Sequence, residues 1–331
     1  MKAVGIDVSK NDFQTCLLEY ADPSGYRVLA TRKFPNSEQG FENLLKWIKK
    51  HQSDGAKFIM EATGVYHENL AFYLFDKGQQ VCIILANKMK SFFKSLNIKT
   101  KTDQVDARII AQFGLERRPE CWEPMSPQFR SLRAISREIL ACKKDLTRAK
   151  NQLHAMDSSF GANPKLEKLK KSQVKFLTKM IDELRKELTQ LVGKDADLKE
   201  RIKKLTSIPG VRDETAIIVV SETNGFSLFQ NIRQVVSFAG LDVSHNESGL
   251  FKGRSKISKK GNSKLRQVLY MPALTATRFN EPIKQLYQRI CEKNPTVKRK
   301  GIVASMRKLL ILMFVLWGKN EAYDKNYQWA N

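Results

Sequence analysis

The sequence predicts an α/β domain followed by two helical ones, and three observations predict it. Residues 1–86 carry short runs in which apolar and polar residues alternate between turn formers, the signature of strands. Leu177, Ile181, Leu184, Leu188 and Leu191 follow one another at intervals of 4, 3, 4 and 3, the spacing of a coiled-coil seam. Beyond residue 205 the apolar residues fall into helical segments around one Ser/Gly/Lys-rich loop. A chain of 331 residues has room for two or three domains. The boundaries read 1–125, 126–204 and 205–331.

In order, residues 2–8 alternate, 9–12 turn and 13–19 continue, which predicts a β-hairpin. Residues 26–34 are a third strand, broken at Pro35-Asn36. Ser37 is placed to N-cap a helix with Phe41, Leu44, Leu45 and Ile48 on one face. Residues 57–61 and 80–85 are the fourth and fifth strands, with a helix over 67–77 between them. Three meandering strands followed by α-β-α-β is the order of a ribonuclease-H-like fold. A further helix starts at Asp103 and runs to about Gly114. Residues 126–205 read as long helices with a break at 158–164. The leucine seam serves either an intramolecular antiparallel hairpin or a dimerisation arm. Residues 205–223 read helix, tight turn at Ile208-Pro209-Gly210-Val211, helix, a helix-hairpin-helix-like element. Three more helices follow near 263–278, 282–292 and 298–317.

Apolar residues make up 42% and charged residues 28%, a globular composition rather than a disordered one. Lys and Arg number 58 against 34 Asp and Glu, a net charge of +24. Such an excess opposes compaction, so a polyanionic partner is expected, nucleic acid before an anionic membrane surface. The longest unbroken apolar run, 309–317, has nine residues where a spanning helix needs about 20. The N-terminus reaches Asp7 without a long apolar segment, so no signal peptide is expected. The five cysteines are scattered without a C-x-x-C pair, and the four histidines lack ligand spacing. A reducing, cytoplasmic setting and no membrane partner follow as expectations.

Four acids stand out by position. Asp7 sits in the first strand and Glu61 ends the fourth, which are central neighbours in a ribonuclease-H-like sheet. Asp103 and Asp106 lie three apart on a helix and share one face. Four converging carboxylates repel one another unless a cation neutralises them. Hard oxygen donors suit Mg²⁺, with Mn²⁺ as a substitute, and such ions stabilise phosphoryl transfer. The plainer alternative makes Asp7 a turn residue, Glu61 the cap of the next helix, and Asp103 and Asp106 an N-cap and first-turn acid.

Basic residues cluster twice. Residues 87–101 carry Lys88, Lys90, Lys94, Lys99 and Lys101 around Phe92 and Phe93 with no acid. From Ser244 to Arg278 there are eight Lys or Arg, including Lys252, Arg254, Lys256, Lys259, Lys260, Lys264 and Arg266, against the single acid Glu247. In that loop Ser248 can serve as a nucleophile toward phosphate, given cationic stabilisation. Ser244, Ser255, Ser258 and Ser263 compete with it, and the plainer alternative is a loop that contacts nucleic acid without chemistry. The turn at Gly210 and Arg212 presents a helix N-terminus to phosphate, or is a helical hairpin that binds nothing.

At this point the residues resemble a known family. Gly5-Ile6-Asp7-Val8-Ser9-Lys10, Glu61-Ala62-Thr63-Gly64-Val65-Tyr66 and Lys101-Thr102-Asp103-Gln104-Val105-Asp106-Ala107 look like the three motifs of the DEDD-type insertion-sequence transposases. This is the insertion-sequence one-ten family, with the Piv-type invertases and bridge-RNA-guided recombinases among its members. Ile208-Pro209-Gly210-Val211, Phe238-Ala239-Gly240-Leu241, Glu247-Ser248-Gly249, Ile257-Ser258-Lys259-Lys260-Gly261, Leu269-Tyr270-Met271-Pro272-Ala273 and Met306-Arg307-Lys308-Leu309 extend the likeness over nearly the whole chain. The resemblance implies a RuvC-like N-terminal domain whose Asp7, Glu61, Asp103 and Asp106 hold Mg²⁺. It implies a C-terminal transposase domain in which Ser248 forms a covalent phosphoserine with DNA. It further implies a structured bridge RNA that selects donor and target, and a homo-oligomer, dimer to tetramer, assembled through the helical middle. The alternative activity is that of a hydrolytic RuvC-like nuclease without serine chemistry. Arg212 departs from the usual second glycine of the turn, and Asp242-Val243 from a common proline.

Overall fold

The computed structural model describes residues 1–21, 25–62, 64–100, 102–161, 163–244, 247–248, 251–253 and 256–325; for Glu247, Phe251 and Lys252 it describes the backbone alone. The chain divides into two compact units, Met1–Pro124 and Met125–Asn331.

The first unit contains β1 (Lys2–Val8), β2 (Asp12–Ala21), β3 (Gly25–Pro35), α1 (Glu38–Lys50), β4 (Lys57–Glu61), α2 (Glu68–Asp76), β5 (Val81–Ile84), α3 (Ala86–Ser95) and α4 (Asp103–Arg117). The sheet order is β3-β2-β1-β4-β5. β1, β2 and β3 pair antiparallel, and β4 and β5 continue parallel to β1. The meander and the central β1–β4 pair are the expected ribonuclease-H-like arrangement. Strand alternation splits the core in two. Val4, Ile6, Val8, Phe58 and Met60 pack with Phe41, Leu44 and Ile48 of α1 and Leu70 and Leu74 of α2. Ala3, Ile59, Cys82 and Ile84 pack on the opposite face with Met89 and Phe92 of α3 and Ile109, Ile110 and Phe113 of α4. Ser37 caps α1 as expected, its hydroxyl accepting from Gly40 N. The N-cap of α4 is Thr102, whose Oγ1 accepts from Val105 N, so Asp103 opens the first turn and is not the cap. α3 is an element that the sequence pattern does not show: Phe92 lies in the core against Phe113, ring centroids 5.2 Å apart, and does not interleave with the lysines at the surface.

The second unit begins with α5 (Pro127–Asp157) and α6 (Pro164–Gly193), each started by a proline in its first turn behind a capping Ser126 or Asn163. They pack on each other as a hairpin. Leu177, Ile181 and Leu188 are buried, with Leu184 and Leu191 half-buried, so the heptad seam is used within the chain. α7 (Ala196–Thr206), α8 (Asp213–Glu222) and α9 (Ile232–Phe238) follow. Four two-residue strands, β6 (Val243–Ser244), β7 (Glu247–Ser248), β8 (Phe251–Lys252) and β9 (Lys256–Ile257), precede α10 (Ser263–Phe279), α11 (Glu281–Lys293) and α12 (Arg299–Lys319). One core joins Leu132 and Ile139 of α5, Leu188 and Val192 of α6, and the helices from α7 to α12. α12 is long and apolar enough to cross a membrane by length and composition. More than half of its apolar stretch is, however, buried, with Met306, Leu309, Leu310, Met313 and Leu316 in that core.

Candidate functional site

The carboxylate site is built by alternation and register. In β1, Val4, Ile6 and Val8 point to the α1/α2 side, so Ala3, Gly5 and Asp7 point to the α3/α4 side. In β4, Phe58 and Met60 take the first side, so Ile59 and Glu61 take the second. Ile6 pairs with Met60 in the parallel register, which sets Asp7 and Glu61 side by side on one face at the ends of adjacent strands. Both are half-buried.

α4 reaches this face because a glycine lets it. A Cβ on Gly5 would stand 2.0 Å from Ala107 O and 2.3 Å from Ala111 N, so helix backbone rests directly on strand backbone. At the far end of the helix, Gly114 rests on the Ile59 side chain, its Cβ position 2.4 Å from Cγ1. This docking carries Asp106, next to Ala107, to the same face as Asp7. Asp103 extends toward β3, where its charge, behind that of Asp12, helps hold the Lys33 ammonium protonated. Lys33 pairs with Asp12 at 2.9 Å, and that bond holds the Asp12 carboxyl below its ordinary range. Asp7 lies opposite Gln14, and Gln14 opposite Lys33. A polar row of Lys33, Gln14, Asp7 and Glu61 therefore runs across the sheet, a feature that needs the register to be seen.

Asn36 ties the two acidic strand ends together. Its Nδ2 donates to Ser9 O at 2.9 Å, just after Asp7, and to Tyr66 O at 3.1 Å, beyond Glu61. His67, at the start of α2, is buried, and its Nδ1 has no hydrogen-bond partner. Burial lowers its pKa, against a smaller opposing effect of Glu68. The donor chemistry of Asp7, Glu61, Asp103 and Asp106, all carboxylate oxygen, fits a hard divalent cation. Their spacing is open: among the described residues no group of three or more His, Cys, Asp or Glu is close enough to hold a metal.

The serine loop is a stack of short antiparallel pairs. Val243 faces Ile257, Ser244 faces Lys256, Glu247 faces Lys252 and Ser248 faces Phe251. Ser248 is exposed. Ser258 is not comparable: its Oγ donates to Asp242 Oδ1 at 2.5 Å and accepts from Lys260 N at 3.3 Å. Ser263 opens α10, Ser244 is exposed in β6, and Ser255 lies outside the described residues. Lys256, Lys259 and Lys260 are exposed and Lys264 is half-buried. Arg266 is committed at the loop root, donating from Nη1 to Ala239 O at 2.8 Å. Arg254 and Lys101 lie outside the described residues, and of Lys252 only the backbone is described. In the other basic segment Lys88, Lys90, Lys94 and Lys99 are all exposed.

The helix-hairpin-helix-like turn is present between α7 and α8, with Gly210 at φ +99°. A Cβ there would lie 2.7 Å from Pro272 O, so the glycine serves packing against α10. Arg212 is exposed at the N-cap of α8, but Asp213 and Glu214 occupy the first turn. Glu214 is ion-paired to Lys143 and, at 3.0 Å, to Arg185. These acids already satisfy the helix dipole, which weighs against an anion at this end.

Two family models match the chain. A DEDD-type transposase model covers residues 4–158. A model described as "Transposase IS116/IS110/IS902 family" covers residues 202–288. The pilin gene-inverting protein of Moraxella bovis is 28% identical over 325 residues, 97% of either chain. A transposase for the insertion sequence element IS1328 of Yersinia enterocolitica is 23% identical over 224 residues, 60% of this chain and 65% of that one. Among solved structures, T. thermophilus RuvC in complex with a Holliday junction matches 37% of this chain and 100% of its own, at 12% identity and a TM-score of 0.29.

Proposed function

Because this chain belongs to the DEDD-type IS110 transposases and is a DNA recombinase, we propose that it cuts and rejoins donor and target strands through a covalent bond at Ser248. Ser248 Oγ attacks a backbone phosphorus, and its proton passes through solvent to the deoxyribose oxygen that leaves. One P–O bond to deoxyribose breaks, and that oxygen leaves with the electron pair. The phosphoserine keeps the phosphodiester's place until the hydroxyl of another strand displaces Ser248. The observation that carries this reading is the contrast between the exposed Ser248 on its hairpin and Ser258, whose hydroxyl is bound to Asp242.

Asp7, Glu61, Asp103 and Asp106 are the residues that would hold Mg²⁺ or Mn²⁺. When bound, the ion offsets phosphate charge and polarises the P–O bond. Asn36 keeps the Asp7 and Glu61 strand ends in register, and the docking of α4 on Gly5 keeps Asp106 beside them. The exposed lysines of α3 and of the serine loop bind the nucleic-acid backbone. A structured RNA from the same element selects donor and target by base pairing, so the protein reads shape and charge. Assembly beyond one chain uses the exposed apolar residues of the α5–α6 hairpin, Phe160, Leu166, Leu169 and Phe176.

The test traps the protein on nicked cognate DNA of its element with the RNA and Mg²⁺, and maps adducts by mass spectrometry. A phosphodiester at Ser248 is expected. Cleaved DNA without an adduct would replace serine chemistry with hydrolysis at the carboxylates.

A further inference from the structure

Glu222 is the last residue of α8, and its side chain is 0% exposed. The placement breaks two electrostatic rules. A carboxylate is costly to bury, and at a helix C-terminus it opposes the helix dipole. Apolar residues would fill the same space, since the rest of α8 packs through Ile217, Val219 and Val220. What the carboxylate adds is direction. Arg137 of α5 grips it with two bonds, Nε to Oε1 at 2.6 Å and Nη2 to Oε2 at 2.9 Å. The third bond comes from Asn262, Nδ2 to Oε2 at 2.7 Å. Burial pushes the Glu222 carboxyl up, yet the bonds from Arg137 and Asn262 outweigh it and hold the pKa below the usual range.

Asn262 lies between β9 and α10, as the N-cap of α10. Its Oδ1 caps α10 through Lys264 N and Leu265 N, and its own N–H donates to Phe238 O at 2.7 Å. The hairpin root is closed around it by Ser258 N to Asp242 O at 2.9 Å and Lys259 N to Gly240 O at 3.2 Å. Gly261 is pressed against the C-terminal end of α9 and the turn after it, its Cβ position 2.4 Å from Phe238 O and 2.6 Å from Gly240 N. One amide side chain thus joins the root of the hairpin to a buried carboxylate, which an arginine on α5 anchors in turn.

We propose that Arg137, Glu222 and Asn262 are positioning residues that hold the base of the β6–β9 pair, which brackets Ser248 in the chain, and thereby fix Ser248 for its attack on phosphate. The inference rests on the assignment of Ser248 as nucleophile. Glu222 is invisible in the sequence because its partners stand 85 and 40 residues away.

The test is N262S. Serine caps a helix as asparagine does, but it is too short to reach Glu222. Three readouts are taken on the full chain: melting temperature, hydrogen exchange of the hairpin amides, and recombination in cells of a plasmid carrying the native element with its flanks. Expected are exchange roughly tenfold or more faster at Val243, Ser244, Lys256 and Ile257, a melting temperature within a few degrees of the parent, and recombination reduced at least about tenfold. Loosening of the whole unit, with a fall in melting temperature, is the result of a purely structural triad and overturns the proposal. So does unchanged exchange with full recombination. N262D is the second variant. It also caps α10 but turns an oxygen toward Glu222, so it is expected to loosen the same amides at neutral pH. Acidification is expected to restore their protection as the two carboxyls come to share a proton, with Arg137 and Arg133 the charged neighbours of Glu222 on α5. S248A runs in parallel. If it recombines normally, the serine assignment fails; if it is inactive while N262S is normal, the clamp alone fails.

Discussion

Ala107 O occupies the space where a side chain on Gly5 would begin, 2.0 Å from the position of its Cβ. A strand and a helix meet there backbone to backbone, two residues from Asp7 and one from Asp106. Spacing between these acids is therefore set by a missing side chain.

G5A tests that arrangement. The added methyl meets backbone on α4, which cannot turn aside as a flexible side chain would, so the helix must shift. Overpacking of this kind costs about 1–3 kcal/mol. The expected result is a lower melting temperature for Met1–Pro124 and a loss of cleavage larger than the loss of folded protein accounts for. Full cleavage by folded G5A protein would show that the position of α4 does not matter to the chemistry.

D7N and D106N test the carboxylates themselves. Each keeps shape and removes one charge. Folding is expected to survive in both, with strand cleavage reduced by at least about a hundredfold, the scale of losing a charge-stabilising group. Circular dichroism checks the first point and a cleavage assay with its RNA and Mg²⁺ the second. Cleavage that persists in both variants and in excess chelator would remove the carboxylates from the reaction.

How much of this is legible in the sequence depends on the range of the interaction. β1 to β5 are readable because alternation is local and Pro35-Asn36 marks a break. The pairing of Asp7 with Glu61 is readable because element order implies that β1 and β4 are neighbours, as they are. α3 is hidden because its two buried residues, Met89 and Phe92, stand among lysines that read as a binding segment. The hairpin strands β6 to β9 are hidden because two residues are too few for periodicity. The row Lys33, Gln14, Asp7 and the strap from Asn36 depend on register and on backbone carbonyls, which residue types do not reveal.

The lysines of α3 make a prediction about salt. Lys88, Lys90 and Lys94 are exposed, and on duplex DNA each phosphate neutralised contributes about −0.9 to the slope of log affinity against log salt. Replacing all three by alanine is expected to weaken binding at low salt and to flatten that slope by about 0.9 for each phosphate left without its lysine. Binding isotherms at several salt concentrations measure it. An unchanged slope would move the nucleic-acid surface away from α3.

His67 gives the first unit a pH dependence whose sign follows from burial. In the folded chain its imidazole is buried, with Nδ1 unpartnered, and its pKa lies below the ordinary 6.5. In the unfolded chain it titrates near that ordinary value. As pH falls through about 6.5 the unfolded state takes up a proton that the folded state refuses, so stability drops and goes on dropping down to the folded pKa. Above 6.5 both states are neutral there, and the contribution is constant. Urea unfolding of the wild type is therefore expected to show a midpoint that declines between pH 7 and pH 5. H67Q, which cannot be protonated in this range, is expected to flatten the decline while lowering the midpoint at pH 7 through imperfect packing. Parallel declines in the two proteins would mean that the acid sensitivity of this unit belongs to other groups.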